Sequence, residues 1–233
     1  MVTPIQNADN VGDYLVSSRS LHEYEAMFML TKGDIRGAVL DCPGGASSFT
    51  VQANELGARA IAVDPVYAMP ISELRQLAMD EPDRGSAHTA AATNRYRWDF
   101  YRDLEGHRAI RQRAASLFSD DLEVHPERYV PASLPVLPFA EGQFELVLSS
   151  HFLFTYADRL DLDFHHRALV EMHRVCAREV RVFPLLDQAG RRLDTLVRQL
   201  LTALAQEGIA ADIRQVPYEF QLGGNRMLVL SAG

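Results

Sequence analysis

Apolar positions along the chain change period several times, and each change marks an element. Ser20-Leu21-His22-Glu23 has the form of a capping box, in which the Ser hydroxyl and the Glu carboxylate satisfy free amides of a first helical turn. Leu21, Tyr24, Met27, Phe28 and Leu30 follow at helical spacing, and Gly33 marks a stop between Thr31 and Asp34. Ala38-Val39-Leu40-Asp41 is a short apolar run of the kind that forms a buried strand. It meets the turn Cys42-Pro43-Gly44-Gly45-Ala46-Ser47-Ser48, a helix over 48–56 closed by Gly57, and a second strand over 60–64. This is a compact strand, turn, helix and strand unit ending on the acid Asp64. The stretch 65–127 exceeds one crossover helix and reads as helices over 70–79, 86–97 and 103–119. Strands follow over 128–131, 144–149 and 179–185, with helices over 164–175 and 192–206. Two last strands, 211–220 and 226–231, flank Gly223-Gly224-Asn225 as a hairpin. Alternating strands and helices predict an α/β fold: a mostly parallel seven-stranded sheet, antiparallel at its C-terminal edge, with helices on both faces. One domain over 1–233 is expected, with 1–36 as an N-terminal helical lid and 65–127 as a helical cap.

Charge narrows the partners. With 31 acidic and 23 basic residues the net charge is −8, which argues against a general nucleic-acid or anionic-membrane binder. No apolar run approaches the ~20 residues of a membrane span, and no apolar stretch follows a basic N-terminus. Cys42 and Cys176 do not make a disulfide framework, so a cytoplasmic protein with reduced thiols is expected. Among the basic residues only Lys32 is lysine. Codon bias accounts for most of that skew. The sharper reading is that some arginines, Arg19 and Arg181 among them, hold carboxylates by forked hydrogen bonds.

The turn after the first strand is the most informative stretch. It lacks the Gly-x-Gly-x-x-Gly register that seats a pyrophosphate on a helix N-terminus. Asp41 beside it would repel pyrophosphate and suits a cofactor carrying an amine or a sulfonium, which also disfavours a nicotinamide oxidoreductase. Asp41 and Gly45 match, and Pro43 and Ser47 replace glycines of, the acid-x-Gly-x-Gly-x-Gly motif of the class I S-adenosylmethionine (SAM) dependent methyltransferase superfamily. Leu137-Pro138-Phe139, the Glu141-Gly142 turn and Phe144-Glu145-Leu146-Val147 resemble a second block of its small-molecule members. The sequence resembles that superfamily over roughly residues 38–231. The resemblance implies a Rossmann-like class I methyltransferase fold with SAM as cosubstrate. It also implies cofactor contacts at Tyr24, Asp41, Pro43, Gly44, Gly45, Asp64, Ser133, Leu134 and Ser149. Gly44 and Gly45 would let backbone approach the methionine portion, Asp64 would hold the ribose hydroxyls, and Asp41 the amino group. Ser133 stands where many relatives carry an Asp facing the adenine amine, so backbone near Ser133 and Leu134 would make that contact. Three blocks (Glu23-Tyr24 with Met27-Phe28, Leu40 to Phe49, and Ser149-Ser150-His151-Phe152-Leu153-Phe154) resemble a narrower subgroup of SAM-dependent methyltransferases, and the resemblance extends to SAM-consuming cyclases that form azetidine-2-carboxylate and release methylthioadenosine, with no motif here that separates the two activities.

The remaining candidates each carry two readings. His151, at the carboxyl end of a strand, reads as a base, as a hydrogen-bond partner of a carboxylate, or as a turn cap. Trp98, Tyr101 and Tyr156 read as an aromatic wall beside a sulfonium or as packing. Tyr24, Met27 and Phe28 read as a cofactor cover or as core. His165 and His166 lie near Asp161 and Asp163, but adjacent histidines face different sides of a helix, and no metal site is expected. Cys42 reads as a small buried residue rather than a nucleophile. His151, Tyr156 and Trp98 are thus the catalytic candidates. The expected activity is SAM-dependent methyl transfer to a small molecule in secondary metabolism, by a monomer or homodimer. The alternatives are the intramolecular cyclase, which needs no second pocket, and a non-catalytic SAM sensor.

Overall fold

The computed structural model describes residues 13–232. Helix α1 (Leu21–Phe28) starts at Ser20, whose hydroxyl accepts from the Glu23 N–H while the Glu23 carboxylate accepts from the Ser20 N–H at 2.8 Å. It ends earlier than Gly33 suggests. Met29 takes a left-handed conformation (φ 52°), and the Asp34 carboxylate, bonded to the Thr31 N–H and hydroxyl, turns the chain out of the helix.

The next elements follow the expected order: β1 (Ala38–Asp41), α2 (Phe49–Glu55) and β2 (Arg59–Val63). The three helices expected in 65–127 are two long ones, α3 (Ile71–Ala90) and α4 (Leu104–Val124), joined through a 3₁₀ turn over Thr93–Arg95. Pro82 and Gly85 fall in the gap between the helices expected over 70–79 and 86–97, yet α3 runs through both. An interior proline costs a helix about 3 kcal/mol. Packing along α4 and burial of Glu81 and Pro82 under the N-terminal segment offset that cost. β3 (Tyr129–Val130), β4 (Phe144–Ser150), α5 (Leu162–Arg174), β5 (Cys176–Phe183), α6 (Asp194–Gln206), β6 (Ala210–Gln215) and β7 (Arg226–Ser231) complete the described chain.

The sheet order is β3-β2-β1-β4-β5-β7-β6. β1 pairs in parallel with β2 and β4, β2 with β3, and β4 with β5, while β7 runs antiparallel between β5 and β6. Two apolar layers cover the faces. Leu40, Val147, Val180 and Leu228 pack under α5 and α6 on one side; Val39, Leu146, Leu148 and Val229 pack under α1 and α2 on the other. Tyr24, Met27 and Phe28 belong to the second layer, so α1 packs into the sheet rather than hinging over it. The carboxyl ends of β1, β2, β3 and β4 share one edge, where parallel sheets place ligand crevices. Among the described residues no helix is long and apolar enough to cross a membrane.

Candidate functional site

Two cavities lie at that edge and share Leu15, Ser17, His151 and Tyr156 as a common wall. The larger, about 320 Å³, is built from strand ends: Cys42, Pro43 and Gly45 after β1, Val63, Asp64 and Val66 at β2, Ser133 and Leu134 after β3, and Ser150 and His151 at β4.

Asp64 ties this floor together. Its two oxygens accept from the N–H groups of Gly45 at 3.0 Å and Val66 at 3.1 Å. Burial raises its pKa, and these amide bonds pull it back. Each oxygen keeps a lone pair for a ligand. Gly45 has φ +53°, a conformation side chains rarely adopt, and an added Cβ would stand 2.9 Å from the Ser17 carbonyl oxygen. Tyr67, which sequence reading did not single out, donates its hydroxyl to the Gly45 carbonyl at 2.8 Å. It also fills the space beside Gly44, where a Cβ would come within 2.6 Å of the Tyr67 oxygen.

Other expected site residues lie apart from the cavities. Asp41 is fully buried and lines neither one; the Tyr24 hydroxyl lies against both its oxygens, and burial pushes the Asp41 pKa well up. Tyr24 stacks on Phe49 in the core. Gly44 and Ser149 are set behind the lining, the latter fully buried and paired in the sheet with Val182. Trp98 packs against Tyr96 and Phe220 instead of forming a wall, because the chain places it behind those rings. Tyr101 is buried and donates to Glu23 at 2.5 Å. Of the three expected wall aromatics only Tyr156 lines the cavities. Cys42 lines the larger cavity, and burial together with Asp41 and Asp64 raises its thiol pKa, away from the reactive thiolate. The His165 ring reaches the Asp161 and Leu153 carbonyls, and His166 reaches Glu207, so the two do not converge. Arg181 holds internal carboxylates, Glu179 at 2.7 Å and Asp34 at 3.2 Å.

His151 has φ +51°, uncommon for a residue with a side chain. Its backbone N–H donates to the Phe183 carbonyl, and the Ser150 hydroxyl lies 2.9 Å from Nδ1. Burial, then the Arg19 and Arg111 charges, hold its pKa well below the usual histidine value, so the ring is neutral at physiological pH.

The smaller cavity, about 130 Å³, lies between the N-terminal segment and the α3–α4 pair. Its lining includes Ser18, Arg19, Thr89, Tyr96, His107, Arg111 and Phe220. Residues 13–19 form a strap over both cavities, tethered on two sides. The Val16 N–H donates to Glu81 and the Leu15 N–H to Tyr156, each at 2.8 Å. Arg84 and Arg111 donate to the Tyr14 and Ser18 carbonyls at 3.0 and 2.7 Å. On the other side the Ser17 carbonyl accepts from the Ala46 N–H at 3.1 Å. Glu81, Arg84, His107 and Arg111 carried no sequence signal. Glu81 and Arg84 fall between two expected helices and His107 and Arg111 inside a third, and the strap that Glu81, Arg84 and Arg111 hold is dozens of residues away.

No family model matches the chain. It is 26% identical over 225 residues to an uncharacterized protein of Methanocaldococcus jannaschii, covering 95% of this chain and 97% of that one. Two solved structures superpose with a TM-score of 0.51. One is the magnesium protoporphyrin IX methyltransferase of Synechocystis with bound SAM, at 11% identity over 91% of this chain and 77% of that one. The other is a Pyrococcus horikoshii protein, at 14% identity over 91% and 90%. The chain has the class I SAM-dependent methyltransferase fold.

Proposed function

We propose that this protein is a SAM-dependent methyltransferase acting on a small molecule, in secondary metabolism. The observation that carries this reading is the pair of adjoining cavities, one built from strand ends and the other beside it, with His151 and Tyr156 between them. SAM supplies a methyl carbon already activated by its sulfonium. In the larger cavity the Asp64 carboxylate suits two adjacent ribose hydroxyls, and Leu134 and Val66 offer apolar walls for a base. The Gly45 turn lets backbone come close to the ligand. Asp41 acts one layer back, with Tyr24, in supporting that turn.

The chain's own task is alignment and exclusion of water. The tethered strap roofs both cavities. The neutral His151 ring has no partner at Nε2 among the described residues and is placed to hydrogen-bond and orient an acceptor. An amine or thiol nucleophile needs no stronger base. The smaller cavity falls below the ~300 Å³ typical of drug-sized sites, so the acceptor is small.

A mechanism with SAM as sole substrate would leave the second cavity without an occupant. Mass analysis of the pure protein with SAM alone, then with candidate acceptors, separates the readings. S-adenosylhomocysteine formed only with an acceptor supports methyl transfer. Methylthioadenosine and a cyclic amino acid from SAM alone would overturn it in favour of the cyclase. SAM binding without turnover of any acceptor would favour the sensor.

A further inference from the structure

The smaller cavity has an unbalanced charge. Its lining carries Glu81, Arg19, Arg111 and the histidines at 88, 107 and 151. Glu81 is paired with Arg84, both contacts at 2.7 Å. Arg111 is paired with Glu23 at 2.7 Å. The histidines facing the cavity at 107 and 151 are depressed by burial and by Arg19 and Arg111, and so are neutral. Arg19 remains.

Its guanidinium makes no hydrogen bond to the described residues. Nε and Nη1 are buried without partners, and the nearest carboxylate, Glu23 Oε1, stands at 3.7 Å. That oxygen is already taken, by the Tyr101 hydroxyl at 2.5 Å and by Arg111. Only 11% of the Arg19 side chain is accessible, and Arg19 lines the cavity. A buried guanidinium cannot shed its proton, so its charge needs a counter-ion. Two more lining groups lack partners. Among the described residues the Ser18 hydroxyl has no hydrogen-bond partner, and neither has His107 Nδ1. His107 Nε2 accepts from Arg111, which leaves the proton on Nδ1 as a donor. The lining therefore offers a cation and two donors.

We infer that the smaller cavity selects an acceptor bearing a carboxylate, which docks on Arg19 with Ser18 and His107 beside it. Glu23 is shared between Arg19 and Arg111, so one added negative charge balances the charge left over, and a phosphate dianion would leave an excess. The inference deepens the methyltransferase reading and rests on it for the word acceptor.

The test uses binding, so it does not depend on turnover. Acetate and benzoate, with acetamide and benzamide as neutral matches, are titrated by ligand-observed NMR into the wild type and Arg19→Gln, with and without S-adenosylhomocysteine. The carboxylates are expected to bind the wild type and the amides not, with Arg19→Gln weakening the carboxylates at least about tenfold. Arg19→Lys, which keeps the charge, should retain part of the binding. Removing a buried charge that makes no hydrogen bond, and whose carboxylate neighbour Arg111 already holds, should also leave Arg19→Gln folded, with an unchanged or higher Tm. Equal carboxylate binding in wild type and Arg19→Gln, or none in the wild type, overturns the inference. So does a tenfold loss of SAM affinity in Arg19→Gln that decarboxylated SAM does not share, because Arg19 would then hold the cofactor's own carboxylate. Carboxylate binding through Arg19 in a wild type that binds no SAM would uphold the anion site and defeat the methyltransferase reading alone.

Discussion

The Tyr24 hydroxyl lies 2.9 and 3.0 Å from the two oxygens of Asp41, and both residues are buried. One donor thus serves a whole carboxyl group immediately before the glycine turn. Tyr24→Phe leaves that group without a side-chain donor among the described residues, at a cost of about 1–3 kcal/mol. Denaturant unfolding should show it as a lower midpoint with an unchanged slope. A variant as stable as the wild type would mean that water or another donor replaces the hydroxyl.

Asp64 has two duties that substitution can separate. Asp64→Asn keeps an oxygen for the Gly45 or Val66 N–H but loses the charge and one acceptor toward a diol. It should fold with a Tm near that of the wild type and bind SAM at least about tenfold more weakly by calorimetry. Asp64→Ala should lose both binding and stability. Wild-type affinity in Asp64→Asn would place the cofactor elsewhere.

Acid should destabilise the protein through His107. Burial first, then Arg111 and Arg19, depress its pKa from 6.5 to about 2. The unfolded chain takes up a proton as pH falls through 6.5, and the folded one does not. The stability is therefore whole above pH 6.5 and declines below it by up to ~1.4 kcal/mol per pH unit. His107→Gln should flatten that decline, seen in urea titrations between pH 6 and 4. Parallel curves for the two proteins would rule out His107 as the source.

Glu81 anchors the strap by accepting from the Val16 N–H while it holds Arg84. Glu81→Ala should free residues 13–19 for limited proteolysis and speed SAM dissociation about tenfold, near 1.4 kcal/mol. Unchanged cleavage and release would show that Tyr156 and Arg111 hold the strap alone.

Much of the fold is legible in the chain because buried strands are short apolar runs closed by turn residues. That is why β1, β2, β4 and β7 fall where the pattern puts them, whereas β6 ends at Gln215, short of the expected 220. α3 departs from the pattern too, because Pro82 and Gly85 speak for local propensity while α4 and the strap decide the outcome. The floor of the larger cavity was readable for a related reason. Gly45, Asp64, Ser133 and Leu134 sit at strand ends, and strand ends follow from periodicity. Trp98 was misplaced because aromatic clustering looks the same in a core and in a site. Arg19 and Arg181 carry the same expectation of holding a carboxylate, and nothing in the sequence tells them apart. The isolation of Arg19 depends on Arg111, 92 positions further along, already holding Glu23.

The strap also has a thermodynamic consequence. Leu15 and Ser17 belong to the walls of both cavities, so whatever fills one chamber stiffens a boundary of the other. The second ligand then meets a wall already ordered and loses less conformational entropy on binding. Linkage makes the effect mutual: the cofactor product should raise acceptor affinity by the same factor as the acceptor raises cofactor affinity. Paired calorimetric titrations in either order measure both factors. Factors of one in both directions would mean that the strap is rigid before either ligand arrives.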